Sequence, residues 1–215
     1  SRVIDLPTVR RLAAAALENV ERHRGRINAL NVYPVPDGDT GTNLQKTMEG
    51  IVAELDRSDA VTTAQLAADV QRAATMEAKG NSGVILSTIV RGMARVLGEG
   101  TQVDGGVMAE AFRAGATSAY QAVKLPVEGT MLTVIRETSE TMRAAFAPEM
   151  DFVAVLRATA QAARHSVERT PTHLKMLRDA GVVDAGGQGL FVLFEGALAY
   201  ASGESLVRAE APQDQ

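Results

Sequence analysis

Apolar residues return every three to four positions along almost the whole chain, and no pattern of strict alternation is sustained over several segments. Such a chain reads as all-α, each helix burying one stripe against its neighbours. In residues 6–24 the stripe is Val9, Leu12, Ala13, Ala16, Leu17 and Val20, with Gly25 as the expected stop. In residues 42–55 it is Leu44, Met48, Ile51, Val52 and Leu55, and in residues 63–78 it is Leu66, Val70 and Ala74. Residues 81–97 are apolar nearly all round in their first half, which places that helix in the middle of the assembly. Helices follow at 107–123, 130–146 and 152–168, a break at Pro171, a short helix at 173–180 and a last one at 190–200. The expectation is an antiparallel bundle of about eight main helices.

The side chains available to fill this core are mostly small. Hydrophobic residues make up 46% of the 215, with no Trp, five Phe and three Tyr, a balance that favours packed helices over sheets. A chain of this length suits one large domain that needs neither disulfides nor a structural metal. The absence of cysteine excludes disulfides, thiolate zinc sites and a cysteine nucleophile. A net charge of -4 with no Lys/Arg cluster argues against nucleic acid as a partner. No apolar run reaches membrane-spanning length and no leader is seen, so a cytoplasmic location is expected. Starting at Ser1 rather than Met, the sequence reads as a trimmed one. Residues 1–202 are expected to form the domain, and 203–215 a polar tail or the start of a linker to further domains.

Four glycine-containing stretches each open an expected helix, at 40–43, 80–83, 129–130 and 184–189. A helix start offers backbone N–H groups without intrahelical partners and the positive end of a dipole. If alternate helices run antiparallel, several such starts gather at one end and can cradle a polyphosphate. They also fit ordinary caps and turns, and spacing alone favours that reading.

The stretch Asn31-Val-Tyr-Pro-Val-Pro-Asp-Gly-Asp-Thr-Gly-Thr-Asn43 is the most distinctive in the chain. Pro34 and Pro36 stiffen the approach, and Asp37 and Asp39 sit two residues apart across Gly38. Two carboxylates on a stiff loop, followed by a helix start, suit a hard cation and its anion. A tight turn with an N-cap uses the same residue types.

With its neighbours, however, this stretch resembles the nucleotide-binding domain of the dihydroxyacetone kinase L-subunit family, especially the N-terminal domain of bacterial fatty acid kinases. The resemblance rests on Leu30 to Asn43, then Gly80-Asn-Ser-Gly-Val-Ile-Leu86, Pro126-Val-Glu-Gly-Thr-Met-Leu-Thr133 and Gly181-Val-Val-Asp-Ala-Gly-Gly-Gln-Gly189, in that order. It implies helices arranged as a barrel with nucleotide bound at one end. It implies ATP or ADP as ligand, two Mg²⁺ ions, and Asp37 and Asp39 as catalytic metal ligands, with Asn31 as the third ligand. Thr40, Gly41, Thr42, Asn43, Gly80, Asn81, Ser82 and Gly83 are then phosphate-facing, and Gly129, Thr130, Asp184, Gly186 and Gly187 form the opposite wall. Because ATP brings several negative charges beside two aspartates, only cations make such a site tolerable.

The reaction so implied is phosphoryl transfer from ATP to a fatty acid carboxylate presented by a fatty-acid-binding carrier protein. Further domains, and a homodimer formed through them, are compatible with it, and this chain would act weakly without them. Alternatives are a dihydroxyacetone kinase-like phosphotransferase and a nucleotide-binding module without catalysis. One departure is Glu77, where close relatives carry glycine: its side chain either points away from the pocket or narrows it. His23, His165 and His173 lie outside the motifs and read as surface or capping residues.

Overall fold

The computed structural model describes residues 4–203, and these form helices joined by loops, with one isolated bridge pairing Ile4 and Val103. The elements are α1 (Leu6–Leu30), α2 (Thr40–Arg57), α3 (Thr63–Glu77), α4 (Gly80–Glu99), α5 (Gly105–Ala122), α6 (Met131–Ala145), α7 (Phe152–His173), α8 (Lys175–Ala180) and α9 (Ala185–Ala201). Each long helix packs on its predecessor, and α7 packs on α9, which packs back on α1. Eight helices thus close a ring, with the short α8 resting on α7. The expected bundle or barrel of about eight helices is what is found. The expected tail lies almost wholly outside the described residues. Among the described residues no helix is long and apolar enough to cross a membrane.

Burial follows the stripes read from the sequence. Val20, Leu44, Ile51, Leu86, Ile89, Phe112, Val134, Ile135 and Leu190 all belong to one core, crossed by an edge-to-face pair of Phe112 and Phe194 with ring centres 5.3 Å apart. Small side chains filling a wide ring leave gaps. Two adjoining cavities of about 160 and 180 Å³ run along α1, α2 and α4, and both are lined by Val9, Ala13, Met48, Val90, Met93 and Leu97.

Three boundaries differ from the periodicity. The first helix passes Gly25 and ends at Leu30, because its last turn carries Asn28, which bonds the start of α2. The last helix begins at Ala185, so Gly186, Gly187 and Gly189 lie inside it rather than in a loop before it. The seventh runs through Pro171 to His173. Proline there removes the N–H that would bond the Val167 carbonyl, but the Thr170 hydroxyl donates to that carbonyl at 2.7 Å instead.

The same Thr170 oxygen accepts the Asp184 N–H at 3.0 Å, and the residue is fully buried. Thr170→Val therefore leaves a buried carbonyl and a buried N–H unpaired, and a loss on the order of 2–4 kcal/mol is expected. Urea denaturation should show a lower midpoint at unchanged slope. An unshifted midpoint would mean that this hydroxyl does not bridge the two helices.

Candidate active site

Helices that alternate in direction around a ring send every second start to the same end. The starts of α2, α4, α6 and α9 meet there around a cleft lined by Thr40, Asn81, Ser82, Thr130, Asp184 and Gly186. Of the residues singled out from the sequence, these six come together. Asn43, Gly83, Gly129 and Gly187 sit behind the surface, where they fix the elements that form it. Tyr33, Pro34, Ile85, Val127, Met131 and Leu132, which lie inside the motifs but were given no role, complete an apolar wall with Val123 and Leu125, which lie outside them. Val123, Leu125 and Val127 belong to the segment leading into α6, and Leu125 is 83% exposed. An exposed apolar residue next to Pro126 in a connecting segment was the available signal.

The four starts are not equivalent. At α2, the N–H groups of Thr40 and Thr42 are taken by the side chains of Asn31 and Asn28, at 3.1 Å each. The N-cap, Asp39, uses no side-chain cap bond of its own. At α9, the Asp184 carboxylate accepts the Gly187 N–H at 2.8 Å. At α6, Thr130 directs its hydroxyl back to the Val127 carbonyl at 2.7 Å. At α4 the N-cap is Lys79, which gives no side-chain cap, so the N–H groups of Gly80, Asn81 and Ser82 have no protein partner. That start is the exposed donor set of the cleft.

Two contacts hold α4 in place. Lys79 donates its N–H to Thr47 Oγ1 at 3.1 Å, while Thr47 donates to the Asn43 carbonyl at 2.8 Å. Gly80 adopts φ +65° directly against the Asn43 amide, where a β-carbon would come within 2.4 Å of Nδ2. Only glycine fits both the conformation and the space. Asn43 is therefore the floor beneath the α4 start. Glu77, at the end of α3, lies over Gly50, where a β-carbon would meet Glu77 Cγ at 2.4 Å. Its side chain rests on α2 and is absent from the cleft lining.

Opposite α4, the segment before α6 is held by Glu128. Its carboxylate accepts from Thr133 Oγ1 at 2.5 Å, Arg136 Nη2 at 2.9 Å and the Tyr120 hydroxyl at 3.2 Å. Burial pushes this carboxyl up, but the bonds from Thr133 and Arg136 outweigh it and hold it below its ordinary value. Thr133 in turn accepts the Gly129 N–H at 2.8 Å.

On the α1–α2 connection, Asp37 and Asp39 are exposed, and neither carboxylate has a protein partner. Both offer all their oxygens outward. Among the described residues no group of three or more His, Cys, Asp or Glu is placed to hold a metal. Two free carboxylates with no third acid fit Mg²⁺, which keeps several waters and takes phosphate oxygens for the rest. The oxygen of Asn31 is differently engaged: it accepts the Asp39 and Thr40 N–H groups and the Thr40 hydroxyl, at 3.2, 3.1 and 2.6 Å.

The model of the DAK2 domain matches residues 34–199. The chain belongs to the DAK2 domain family. Protein YloV of Bacillus subtilis is 37% identical to this DAK2 domain over 205 residues, covering 95% of the chain and 37% of that protein. An uncharacterized protein of Staphylococcus aureus is 36% identical over 198 residues, covering 92% of the chain and 36% of that protein. The chain thus spans little more than a third of the length of these relatives. In fold it is similar to the dihydroxyacetone kinase of C. freundii, with a TM-score of 0.67 at 22% identity over 89% of this chain and 34% of that one. The same kinase in complex with AMP-PNP and Mg²⁺ gives a TM-score of 0.66 at 21% identity, over 93% of this chain and 35% of that one.

Within this DAK2 domain the buried titratable group of the cleft is Asp184. Burial raises its carboxyl to about 6, against the opposing pull of the Gly187, Met131 and Gly186 N–H groups. A folded-state pKa above the unfolded value of 3.8 means that the folded protein binds the proton more tightly. Stability from this group is therefore gained as pH falls through 6 towards 3.8, and lost as pH rises through 6. Asp184→Asn keeps an oxygen for Gly187 but removes the titration. Denaturation at several pH values should show the wild type gaining on this variant as pH falls across that window. A constant difference would contradict the assignment.

Proposed function

We propose that this DAK2 domain binds Mg²⁺·ATP in the cleft and transfers the γ-phosphoryl group to a fatty acid carboxylate held by a separate fatty-acid-binding carrier protein. The observation that carries the reading is an uncapped start of α4 on the cleft, with two unpartnered carboxylates on the connection that leads into Thr40 of the same cleft. Phosphate oxygens suit the N–H groups of Gly80, Asn81 and Ser82, and the Ser82 hydroxyl adds a donor. Asp37 and Asp39 would hold Mg²⁺, which neutralises phosphate charge when bound. The apolar wall of Ile85, Val123, Leu125 and Val127 suits the flat face of a purine. This chain's part is to position and to neutralise, the larger share of phosphoryl-transfer catalysis.

The choice of titratable groups favours a carboxylate acceptor, with Asp37 and Asp39 given over to the cation. The titratable groups lining the cleft are Tyr33 and Asp184, and Asp184 is committed to holding helix starts. None of His23, His165 and His173 lines it. A hydroxyl acceptor needs a base to take its proton, whereas a carboxylic acid is ionised at neutral pH and needs none. The Pro-Val-Pro-Asp-Gly-Asp form and the neutral Asn31 also favour the fatty acid kinase branch. A dihydroxyacetone-type acceptor is the second reading, supported by the fold shared with the C. freundii kinase.

Two measurements test the proposal. Calorimetry on Asp39→Ala should show Mg²⁺·ATP binding reduced by tenfold or more at unchanged helicity, and unchanged binding would remove the metal assignment. Transfer from labelled ATP should be slow with free fatty acid, because an unplaced acceptor forfeits an orientation advantage that can reach about 7–11 kcal/mol. It should rise on adding a lipid-loaded carrier together with the remainder of a full-length relative. Phosphorylation of dihydroxyacetone instead, with none of fatty acid, would select the second reading.

A further inference from the structure

We infer that Asn28 and Asn31 are positioning residues that clamp the Asp37–Asp39 loop from the C-terminal end of α1, and that Asn31 is not itself a metal ligand. This rests on the metal-binding reading of Asp37 and Asp39, and deepens it. Asn28 lies in the last turn of α1 and Asn31 is its C-cap three residues on, and both side chains reach the start of α2. Asn28 bonds Thr42 twice, accepting its N–H on Oδ1 and donating from Nδ2 to its hydroxyl, both at 3.1 Å. Asn31 holds the preceding residues, its Oδ1 taking three donors from Asp39 and Thr40. Its Nδ2 donates to the Val35 carbonyl at 3.0 Å, on the other side of the carboxylate pair.

That pattern leaves no free electron pair. An amide oxygen has two lone pairs, and three donors already converge on this one. The side chain is buried at 6% exposure, and the groups surrounding Oδ1 present their positive ends to it, so a cation approaching that oxygen would meet like charge. The amide cannot be turned round either, because its NH₂ would then oppose the Asp39 and Thr40 N–H groups, and its oxygen the Val35 carbonyl. A neutral amide, donor at one end and acceptor at the other, is thus what the position demands.

The consequence for the carboxylates is mechanical. Asp37 and Asp39 have exposed, unpartnered side chains, so their placement depends on the backbone beneath them. That backbone is pinned at Val35, Asp39, Thr40 and Thr42, leaving one turn around Gly38 at φ +68° between the pins. Close packing seals the arrangement, since a β-carbon on Gly41 would meet the Arg24 carbonyl oxygen at 2.5 Å and Asn28 Oδ1 at 2.9 Å. Asp37 and Asp39 would then be the protein groups that hold the cation, and with only two carboxylates the free divalent ion would bind weakly without nucleotide.

The test uses Asn28→Ala and Asn31→Ala, with Asn28→Ala as the variant that touches no proposed ligand position. In metal-free protein, amide hydrogen exchange should quicken at Asp39 and Thr40 for Asn31→Ala, and at Thr42 for Asn28→Ala. Both should weaken Mg²⁺·ADP binding, by roughly fivefold to tenfold for each clamp bond pair lost. At saturating Mn²⁺·ADP the electron paramagnetic resonance spectrum of Asn31→Ala should match the wild type, because the coordination shell is unchanged. A changed spectrum at saturation, or full Mg²⁺·ADP affinity in Asn28→Ala, would overturn the clamp. Should Asp39→Ala also keep full affinity, the metal reading beneath it fails instead.

Discussion

Backbone donors at the starts of helices must find acceptors, and four helices in this ring start at the same end. Directed towards one another, their dipoles are mutually unfavourable unless negative or strongly polar groups stand between them. The DAK2 domain meets this demand separately at each start. Asp184 is buried at the junction of α6 and α9, where it takes N–H groups from the two helices. The cost of desolvating its carboxylate is visible in a pKa raised to about 6. Asparagine side chains, which need no such desolvation of a charge, satisfy the start of α2. The start of α4 is left open. The arrangement therefore sorts one end of the ring into starts held by side chains or packed inside and one start whose donors are exposed.

The closure of the ring and the shape of this end have a common origin in residue size. Gly41 lets α1 and α2 approach until asparagines on one reach the first turn of the other, and Gly80 lets α4 settle on Asn43. Gly50 makes room for Glu77 on the α2 surface, which keeps a charged chain near the cleft out of it. Larger residues at these points would push helix ends apart, and the donors would no longer meet.

Much of the fold was legible because burial in a helical ring imposes a period that the sequence must carry. Leu44, Met48, Ile51, Val52 and Leu55 repeat at that period, and all five are buried. What periodicity could not convey was the effect of a partner distant in sequence. Pro171 reads as a stop until Thr170 is seen to replace its missing donor. The glycines of 186–189 read as loop until α9 is found to need close approach. The two carboxylates stood out by their spacing on a proline-stiffened loop, and the structure leaves both exposed. Asn28 did not stand out, because its partner Thr42 lies fourteen residues on, across a turn whose path no local pattern specifies. Asn31 stood out, but a side chain with both donor and acceptor ends has a role only its neighbours decide.

The cavities inside the ring carry a consequence of a different kind. Their linings are aliphatic and aromatic but for Thr63, so water finds few hydrogen-bond partners in them. The folded molecule thus occupies more volume than its atoms and their hydration require. When the ring opens, water enters those spaces and the system as a whole contracts. Hydrostatic compression therefore drives this protein towards the unfolded state, and it acts from the interior of the ring rather than from the polar end where the helices begin.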